Sequence, residues 1–144
     1  GKPGSGKSLK LADKICELLA RNCRYYRKQE RAYVNDQKDG GKKNVPAPLH
    51  RKICTNIKLS EELCALYPEY IEEWQEPIEL IRKSDCDIIW DEIATHLDSS
   101  QWQNVPLDLK RFLQQHRKKG VDIYGSTQAF PISKNLTKAT LTSC

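Results

Sequence analysis

Hydrophobic residues recur along this chain with two periods, one typical of helices and one typical of strands. After Ser8, apolar side chains follow the helical period at Leu11, Ile15, Leu18, Leu19, Cys23 and Tyr26. This spacing predicts an amphipathic helix. Another helix is predicted to open at Pro106 and Asp108 and to stop at Gly120. Its apolar face consists of Leu109, Phe112, Leu113 and His116.

Three segments show the patterns of strands. Residues Lys52 to Leu59 alternate in the β manner, with one face formed by Ile53, Thr55 and Ile57. The run from Asp87 to Trp90 is short and apolar, which predicts a buried parallel strand. Residues Val121 to Thr127 form the last predicted strand.

The region between the first two strands is predicted to be mainly helical. Ser60, followed by two glutamates, has the form of a helix start with its cap and first-turn acids. Helical periodicity then continues as far as Lys83, with breaks at Pro68 and Pro77. Residues 35–50, rich in Asp, Lys, Gly and Pro, predict a mobile surface loop. The alternation of helices with apolar strands predicts an α/β fold with a parallel sheet covered on both faces.

Composition narrows the class of protein. A length of 144 residues suits a single domain, 1–144, and 38% hydrophobic with 30% charged residues suits a folded chain. No apolar run approaches the roughly 18 residues that a membrane span needs. The charge of +5 permits contact with nucleic acid or an anionic membrane without requiring either.

The six cysteines have no C-x-x-C spacing, which disfavours zinc. We expect five of them to be buried, reduced thiols of a cytosolic protein: Cys16, Cys23, Cys54, Cys64 and Cys86.

The first eight residues satisfy the Walker A pattern at every fixed position: Gly1, Lys2, Pro3, Gly4, Ser5, Gly6, Lys7 and Ser8. In such a loop, backbone N–H groups cradle the phosphates of a nucleotide. Lys7 supplies a positive charge to them, and the Ser8 hydroxyl binds Mg²⁺. The loop normally follows a buried strand, and we expect that strand to lie in a longer parent protein.

The matching half of a nucleotide site is predicted at the end of the strand that finishes with Trp90. Asp91 would hold Mg²⁺, and Glu92 would orient and deprotonate the attacking water. A glutamate in this place, together with a strand between the two motifs, favours the RecA-like branch of P-loop proteins over the kinase and GTPase branch. The predicted activity is hydrolysis of ATP with Mg²⁺.

Two further residues are candidates for catalysis. Gln128 ends the last strand and would sense the γ-phosphate or hold the lytic water. Arg117 is either an arginine finger toward a neighbouring subunit or part of a solvated basic helix end with Lys118 and Lys119. The three tryptophans, Trp74, Trp90 and Trp102, are interpreted as core or rim residues, and His116 as a packing residue.

With these motifs in view, the chain resembles the zonular occludens toxin (Zot)-like ATPases of filamentous phages, which are related to the FtsK/HerA DNA-pumping ATPases. The resemblance covers GKPGSGKS, the segment from Cys54 to Ile57, WDEI, and the stretch from Phe112 to Gln128. It implies an oligomeric ATPase that powers extrusion or packaging of phage DNA, with Lys7, Ser8, Asp91, Glu92 and Gln128 in the roles given above. Arg117 matches the family's histidine–arginine stretch.

The resemblance also implies partners and a location. The partners would be copies of the chain, phage DNA or virion assembly proteins, in the cytoplasm of a bacterial host. Attachment to the inner membrane would come only from parts of a parent protein. The alternatives are a P-loop small-molecule phosphotransferase, which the water-activating Glu92 disfavours, and a non-hydrolysing nucleotide-binding interaction module, which Lys7 and Glu92 disfavour.

Overall fold

The computed structural model describes residues 5–92 and 102–125. The helices are α1 (Ser5–Lys38), α2 (Glu61–Leu66) and α3 (Leu107–Gln115), and the strands are β1 (Lys52–Thr55), β2 (Ile71–Glu73), β3 (Cys86–Trp90) and β4 (Asp122–Gly125). Short 3₁₀ helices span Pro77–Arg82, Trp102–Asn104 and His116–Lys119. No described helix combines the length and the apolar character needed to cross a bilayer.

The four strands form one parallel sheet in the order β2-β1-β3-β4. β3 lies in the middle, and all five of its residues are buried. Parallel strands covered on both faces are expected to be apolar throughout, which explains why Asp87–Trp90 could be recognised from sequence. The α/β class and the parallel sheet are therefore confirmed.

Each face of the sheet has its own core. On one face, α1 packs through Leu11, Ile15, Leu18 and Leu19 against residues of three strands, Ile53, Ile89 and Tyr124. On the other face, α3 and the 3₁₀ helix Pro77–Arg82 pack against the sheet, and buried residues of this core include Leu80, Ile88, Phe112 and Leu113. The sheet is thus covered on both sides, as the alternation of elements predicts.

The second core also contains Trp74 and Trp90, whose rings meet edge to face with centroids 5.4 Å apart. Both side chains are fully buried, which confirms that they are core residues. His116 is also buried, and its Nδ1 lies 2.7 Å from the carbonyl oxygen of Val121, so its packing role is confirmed. The side chain of Trp102 lies outside the described part of the chain.

Several predicted elements differ from the structure. The helix predicted to stop at Gly120 is α-helical only as far as Gln115 and continues as the 3₁₀ helix His116–Lys119. The segment after α2 was expected to be helical, but Ile71–Glu73 forms the edge strand β2 beside β1. This strand is only partly buried and lacks a clear alternation, so its pairing with β1 determines its conformation. The first predicted strand is shorter than expected and ends at Thr55 instead of Leu59, because the chain turns at Asn56 toward β3.

Helix α1 extends beyond its predicted apolar face and continues to Lys38, four residues into the predicted loop of residues 35–50. The buried Asp36 carboxylate accepts hydrogen bonds from the backbone N–H groups of Lys43 and Val45, which ties the following turn to the helix end. Residues 39–50 have no helix or strand, as the loop prediction requires. His50 at the end of this loop stacks on Tyr26 with ring centroids 3.9 Å apart.

The cysteines are only partly as expected. Cys54 and Cys86 are buried, Cys23 and Cys64 are half-buried, and all are free thiols. Cys16 is exposed, so the prediction that it is buried was wrong. It lies next to the buried Ile15 on α1, where a one-residue step turns the side chain about 100° away from the sheet.

Candidate functional site

The predicted carboxylates lie at the edge of the sheet where the parallel strands end. Asp91 and Glu92 directly follow β3, the most completely buried strand, so their position is fixed by the middle of the sheet. Asp91 is half-buried and Glu92 is exposed. Ligand sites of open parallel sheets lie at this carboxyl edge, outside the ends of the strands.

A side chain from the neighbouring strand holds the turn that carries these carboxylates. Asn56, immediately after β1, donates from Nδ2 to the carbonyl oxygen of Asp91 at 3.0 Å. Its Oδ1 accepts from the backbone N–H of Asp91 at 2.7 Å. In addition, the backbone N–H of Asn56 donates to the carbonyl oxygen of Ile89 at 3.3 Å. One amide side chain therefore satisfies both backbone groups of Asp91 and locks the end of β3 to the end of β1.

The backbone at Glu92 has a conformation that side chains rarely adopt. Its φ is 55°, in the left-handed region, and its N–H donates to Oδ1 of Asp91 at 3.0 Å. For a residue other than glycine this conformation costs roughly 1–2 kcal/mol. Such strain persists where the surrounding structure imposes it, and it is concentrated at functional sites. Asn44 and Asp85 adopt the same conformation outside the site, so at Glu92 it describes the turn and does not by itself mark a function.

Contacts along α1 show which end of this helix faces the carboxylates. Asn22 donates from Nδ2 to Oδ2 of Asp87, near the start of β3, at 3.1 Å. Earlier in the helix, the Lys14 ammonium lies 5.4 Å from the ring centroid of Tyr124, near the end of β4. Helix α1 therefore runs antiparallel to the strands, and its N-terminus lies toward the carboxyl edge.

Element lengths support this placement. From Asn22 back to Ser8, the helix rises about 21 Å, whereas β3 advances about 13 Å from Asp87 to Asp91. The helix rise exceeds the advance of the strand by about 8 Å, so the first turn of α1, formed by the backbone of residues 5–8, extends past the level of Asp91 at the carboxyl edge. The first turn contains no acidic residue, so the N–H groups and the positive end of the helix dipole remain suited to an anion.

The remaining predicted site residues are distributed as follows. Gly1, Lys2, Pro3 and Gly4 lie outside the described residues, as does Gln128. The side chains of Ser5, Lys7 and Ser8 lie outside them as well, and Gly6 belongs to the first turns of α1. β4 ends at Gly125, which pairs with Trp90, so the chain leaves this strand at the edge that carries Asp91.

Arg117 is not brought to the carboxylates. It lies exposed in the 3₁₀ helix that precedes β4, and the neighbouring Lys119 accepts a backbone hydrogen bond from Asp85, just before β3. This is the amino edge of the sheet, separated from Glu92 by the length of β3, about 15 Å. Within one chain, Arg117 and Glu92 therefore lie at opposite edges, and a role toward a neighbouring subunit stays a prediction.

The amino edge carries a buried ionic cluster that sequence reasoning missed. The Asp87 carboxylate is fully buried and accepts hydrogen bonds from Arg21 at 2.8 Å, Asn22 at 3.1 Å and Arg51 at 3.1 Å. Arg51 also pairs with Asp122 of β4 at 3.2 Å. These contacts join α1, β3 and β4 at the edge opposite Asp91, so we assign the cluster a structural role. In the sequence, Asp87 is indistinguishable from an acid at the start of any strand.

An open groove also lies near the carboxyl edge, on the face covered by α3. Its volume is ≈ 320 Å³, and its walls come from the 3₁₀ helix after β2 and from the residues that lead into α3. Its lining is Glu76, Pro77, Ile78, Asn104, Val105, Pro106 and Leu109. Among the described residues, the lining contains no lysine or arginine.

Fold and site together define an α/β protein with a four-stranded parallel sheet, with two carboxylates and the start of a long helix toward the carboxyl edge. Comparisons of the chain with protein-family models, with curated proteins and with solved structures give no match. Within the described ranges, no three side chains of His, Cys, Asp or Glu converge into a metal site made by protein alone. A magnesium ion at a nucleotide site needs fewer protein ligands, since one or two carboxylates bind it together with the phosphates of the substrate.

Proposed function

We propose that this chain is a P-loop ATPase that hydrolyses ATP with Mg²⁺. The observation that carries the proposal is one juxtaposition: the turn Asp91–Glu92 and the first turns of α1 lie toward the same edge of a parallel sheet. The helix begins at Ser5, inside the sequence GKPGSGKS, whose glycines and lysine are the residues that a phosphate-binding loop and the start of its helix require.

The roles of the residues follow from their positions. Residues Gly1 to Gly6 would surround the phosphates with backbone N–H groups, and Lys7 would neutralise their charge. Mg²⁺, held by Ser8 and Asp91, would neutralise charge on the transferred phosphoryl group. Glu92 would accept a proton from the attacking water, and its exposed side chain is accessible to that water. Gln128 would orient the water or sense the γ-phosphate.

The order of strands supports the RecA-like form of this fold. In that form, another strand separates the strand ending in the catalytic carboxylates from the strand that precedes the phosphate loop. The sequence interpretation gave this role to the strand predicted at residues 52–59. In the sheet, β1 and β4 lie on opposite sides of β3, and we propose that β4 is the separating strand instead. The resemblance to Zot-like ATPases extends the proposal to an oligomeric motor for phage DNA extrusion or virion assembly, at the cytoplasmic face of the bacterial inner membrane.

The test is Mg²⁺-dependent ATP hydrolysis by the purified protein, measured beside the Glu92→Gln and Lys7→Ala variants. We expect Glu92→Gln to bind ATP but to lose hydrolysis by about a hundredfold or more, because the proton acceptor is removed. Lys7→Ala should weaken ATP binding itself. Equal hydrolysis by wild type and Glu92→Gln would contradict the assignment of the base. Phosphate transfer to a small molecule without release of free phosphate would favour a phosphotransferase.

A further inference from the structure

The outer face of the second half of α1 is strongly basic. Five cations lie on it at helical spacing, and we call them the α1 basic stripe: Arg24, Arg27, Lys28, Arg31 and Lys38. At 3.6 residues per turn they fall within about 100° of arc and extend about 21 Å along the helix. All five are exposed. The stripe lies opposite the face of α1 that packs on the sheet, because the buried Leu18, Leu19 and Asn22 occupy the other side.

The acidic residues of the same helix segment are engaged elsewhere. Asp36 is buried and accepts hydrogen bonds from the backbone of Lys43 and Val45. Glu30 hydrogen-bonds to Tyr26, and the pKa of that phenol is raised by desolvation first and then by the Glu30 carboxylate. Arg21, on the border of the stripe, pairs with the buried Asp87. No salt bridge of the described residues involves a member of the stripe. Its five cations outnumber the two carboxylates of residues 24–38, Glu30 and Asp36, so this segment keeps a positive excess.

We propose that the α1 basic stripe is a binding surface for the phosphate backbone of single-stranded nucleic acid. Three of the five cations are arginines, whose guanidinium groups bind phosphate oxygens in a bidentate manner. Tyr25 stands beside the stripe with 57% of its surface exposed, which is unusual for an aromatic side chain in this structure. An exposed ring next to a row of cations is the combination that single strands use, with phosphates on the cations and a base stacked on the ring.

A membrane surface fits this helix less well. Helices that lie in a bilayer interface insert an apolar face between the lipids. The apolar face of α1 is already buried against Ile53, Ile89 and Tyr124 of the sheet. Along the second half of α1 the exposed large hydrophobic side chains are Tyr25 and Val34, which lie about 180° apart around the helix and form no apolar face. This segment could therefore touch lipid headgroups by electrostatics alone. The surface is separate from Asp91 and Glu92, so the inference does not depend on ATP hydrolysis.

The experiment measures binding of a fluorescein-labelled oligothymidylate by anisotropy, without nucleotide, at several salt concentrations. The stripe variant combines Arg24→Gln, Arg27→Gln, Lys28→Gln and Arg31→Gln. The control variant removes the same charge from other exposed positions, with Lys58→Gln, Arg82→Gln, Arg111→Gln and Lys118→Gln. Circular dichroism checks that both variants retain the helical content of the wild type.

We expect the slope of log affinity against log salt to become shallower by about 3 in the stripe variant, since each phosphate contact on a single strand contributes about 0.7. The control variant should keep most of the wild-type slope. Tyr25→Ala should weaken binding about tenfold with little change in slope, because base stacking is insensitive to salt.

Two sets of results would overturn the proposal. In the first, the stripe and control variants lose affinity equally, which would mean that net charge alone attracts the oligonucleotide. In the second, the wild type fails to bind the oligonucleotide at low salt, whether or not it binds phosphatidylserine vesicles. Because no ATP is present, a chain that binds through the stripe but does not hydrolyse ATP would support this inference while contradicting the proposed function.

Discussion

Replacing Asn56 with alanine removes both hydrogen bonds that fix the backbone of Asp91, at 2.7 and 3.0 Å. Each bond contributes a net free energy of about 1 kcal/mol, so their loss should destabilise the turn by about 2 kcal/mol. Such a change shifts an opening equilibrium by about thirtyfold. The effect should appear first at the turn itself, because β3 beneath it stays buried between both cores.

Amide hydrogen exchange at single-residue resolution is the appropriate assay. In the wild type the N–H of Asp91 is protected by Oδ1 of Asn56. In Asn56→Ala we expect its exchange to accelerate by up to about thirtyfold. Asn56→Asp keeps an oxygen acceptor for this N–H but loses the donor to the Asp91 carbonyl, so its protection should be intermediate. Amides in the middle of β3, such as that of Ile88, should change less than that of Asp91.

The matched control is Lys58→Ala, an exposed position two residues further along the chain. It should change the free energy of unfolding by less than about 0.5 kcal/mol and leave the Asp91 amide unaffected. If the Asp91 amide exchanges at the same rate in Asn56→Ala as in the wild type, the reasoning is refuted. The two hydrogen bonds of Asn56 would then contribute nothing to the order of the turn. If the proposed ATPase activity is present, Asn56→Ala should lower kcat more than it raises KM, since the described hydrogen bonds of the Asn56 side chain are with the backbone of Asp91.

Three further predictions concern stability, measured as the free energy of unfolding in urea. Asp87→Ala should lower the free energy of unfolding by about 3 kcal/mol, because it leaves two arginines without their buried partner. Asp122→Ala, at a side chain 40% exposed, should lower it by about 1 kcal/mol or less. Equal losses would contradict the structural role of the cluster. Gly120→Ala should destabilise the protein more than Gly40→Ala. The positive φ costs about 1 kcal/mol at each position, but of the two only Gly120 would place the added Cβ against a neighbouring carboxylate, that of Asp85. Equal losses would show that this collision is relieved without cost. Burial lowers the pKa of His116 below 6.5, so the unfolded chain takes up this proton first. The free energy of unfolding should therefore fall as the pH drops below 6.5, until the pKa of the folded state is passed. His116→Gln should reduce this pH dependence, and an unchanged dependence would contradict the prediction.

Sequence reasoning predicted correctly the elements whose own pattern of apolar residues reflects how they are buried. β3 is a run of apolar residues because both of its faces are covered, and the face of α3 repeats at helical spacing for the same reason. β2 was missed because its conformation depends on pairing with β1 rather than on its own pattern. A three-residue edge strand carries too few side chains to display a period of two.

In the candidate site too, some residues could be predicted from the sequence and others could not. Asp91 and Glu92 could be located from sequence, because a buried strand ending in two acids is a recognisable pattern. The contribution of Asn56 could not, since an asparagine after a strand is an ordinary turn residue until the neighbouring strand is known. The available signal was its place at the end of the strand that precedes β3, which a parallel sheet brings to the same edge.

At the turn after β3, local preference and overall fold disagree. Glutamate disfavours the left-handed backbone that Glu92 adopts, and asparagine or glycine would adopt it at lower cost. Two features of the fold hold this turn. One is the buried strand β3 that precedes it, and the other is the pair of hydrogen bonds between the Asn56 side chain, after β1, and the backbone of Asp91. A conflict of this kind is expected where a side chain is needed for chemistry rather than for stability. Asn44 and Asp85 have the same positive φ away from the carboxylates. The backbone geometry at Glu92 therefore agrees with the sequence motif but is not an independent argument for function.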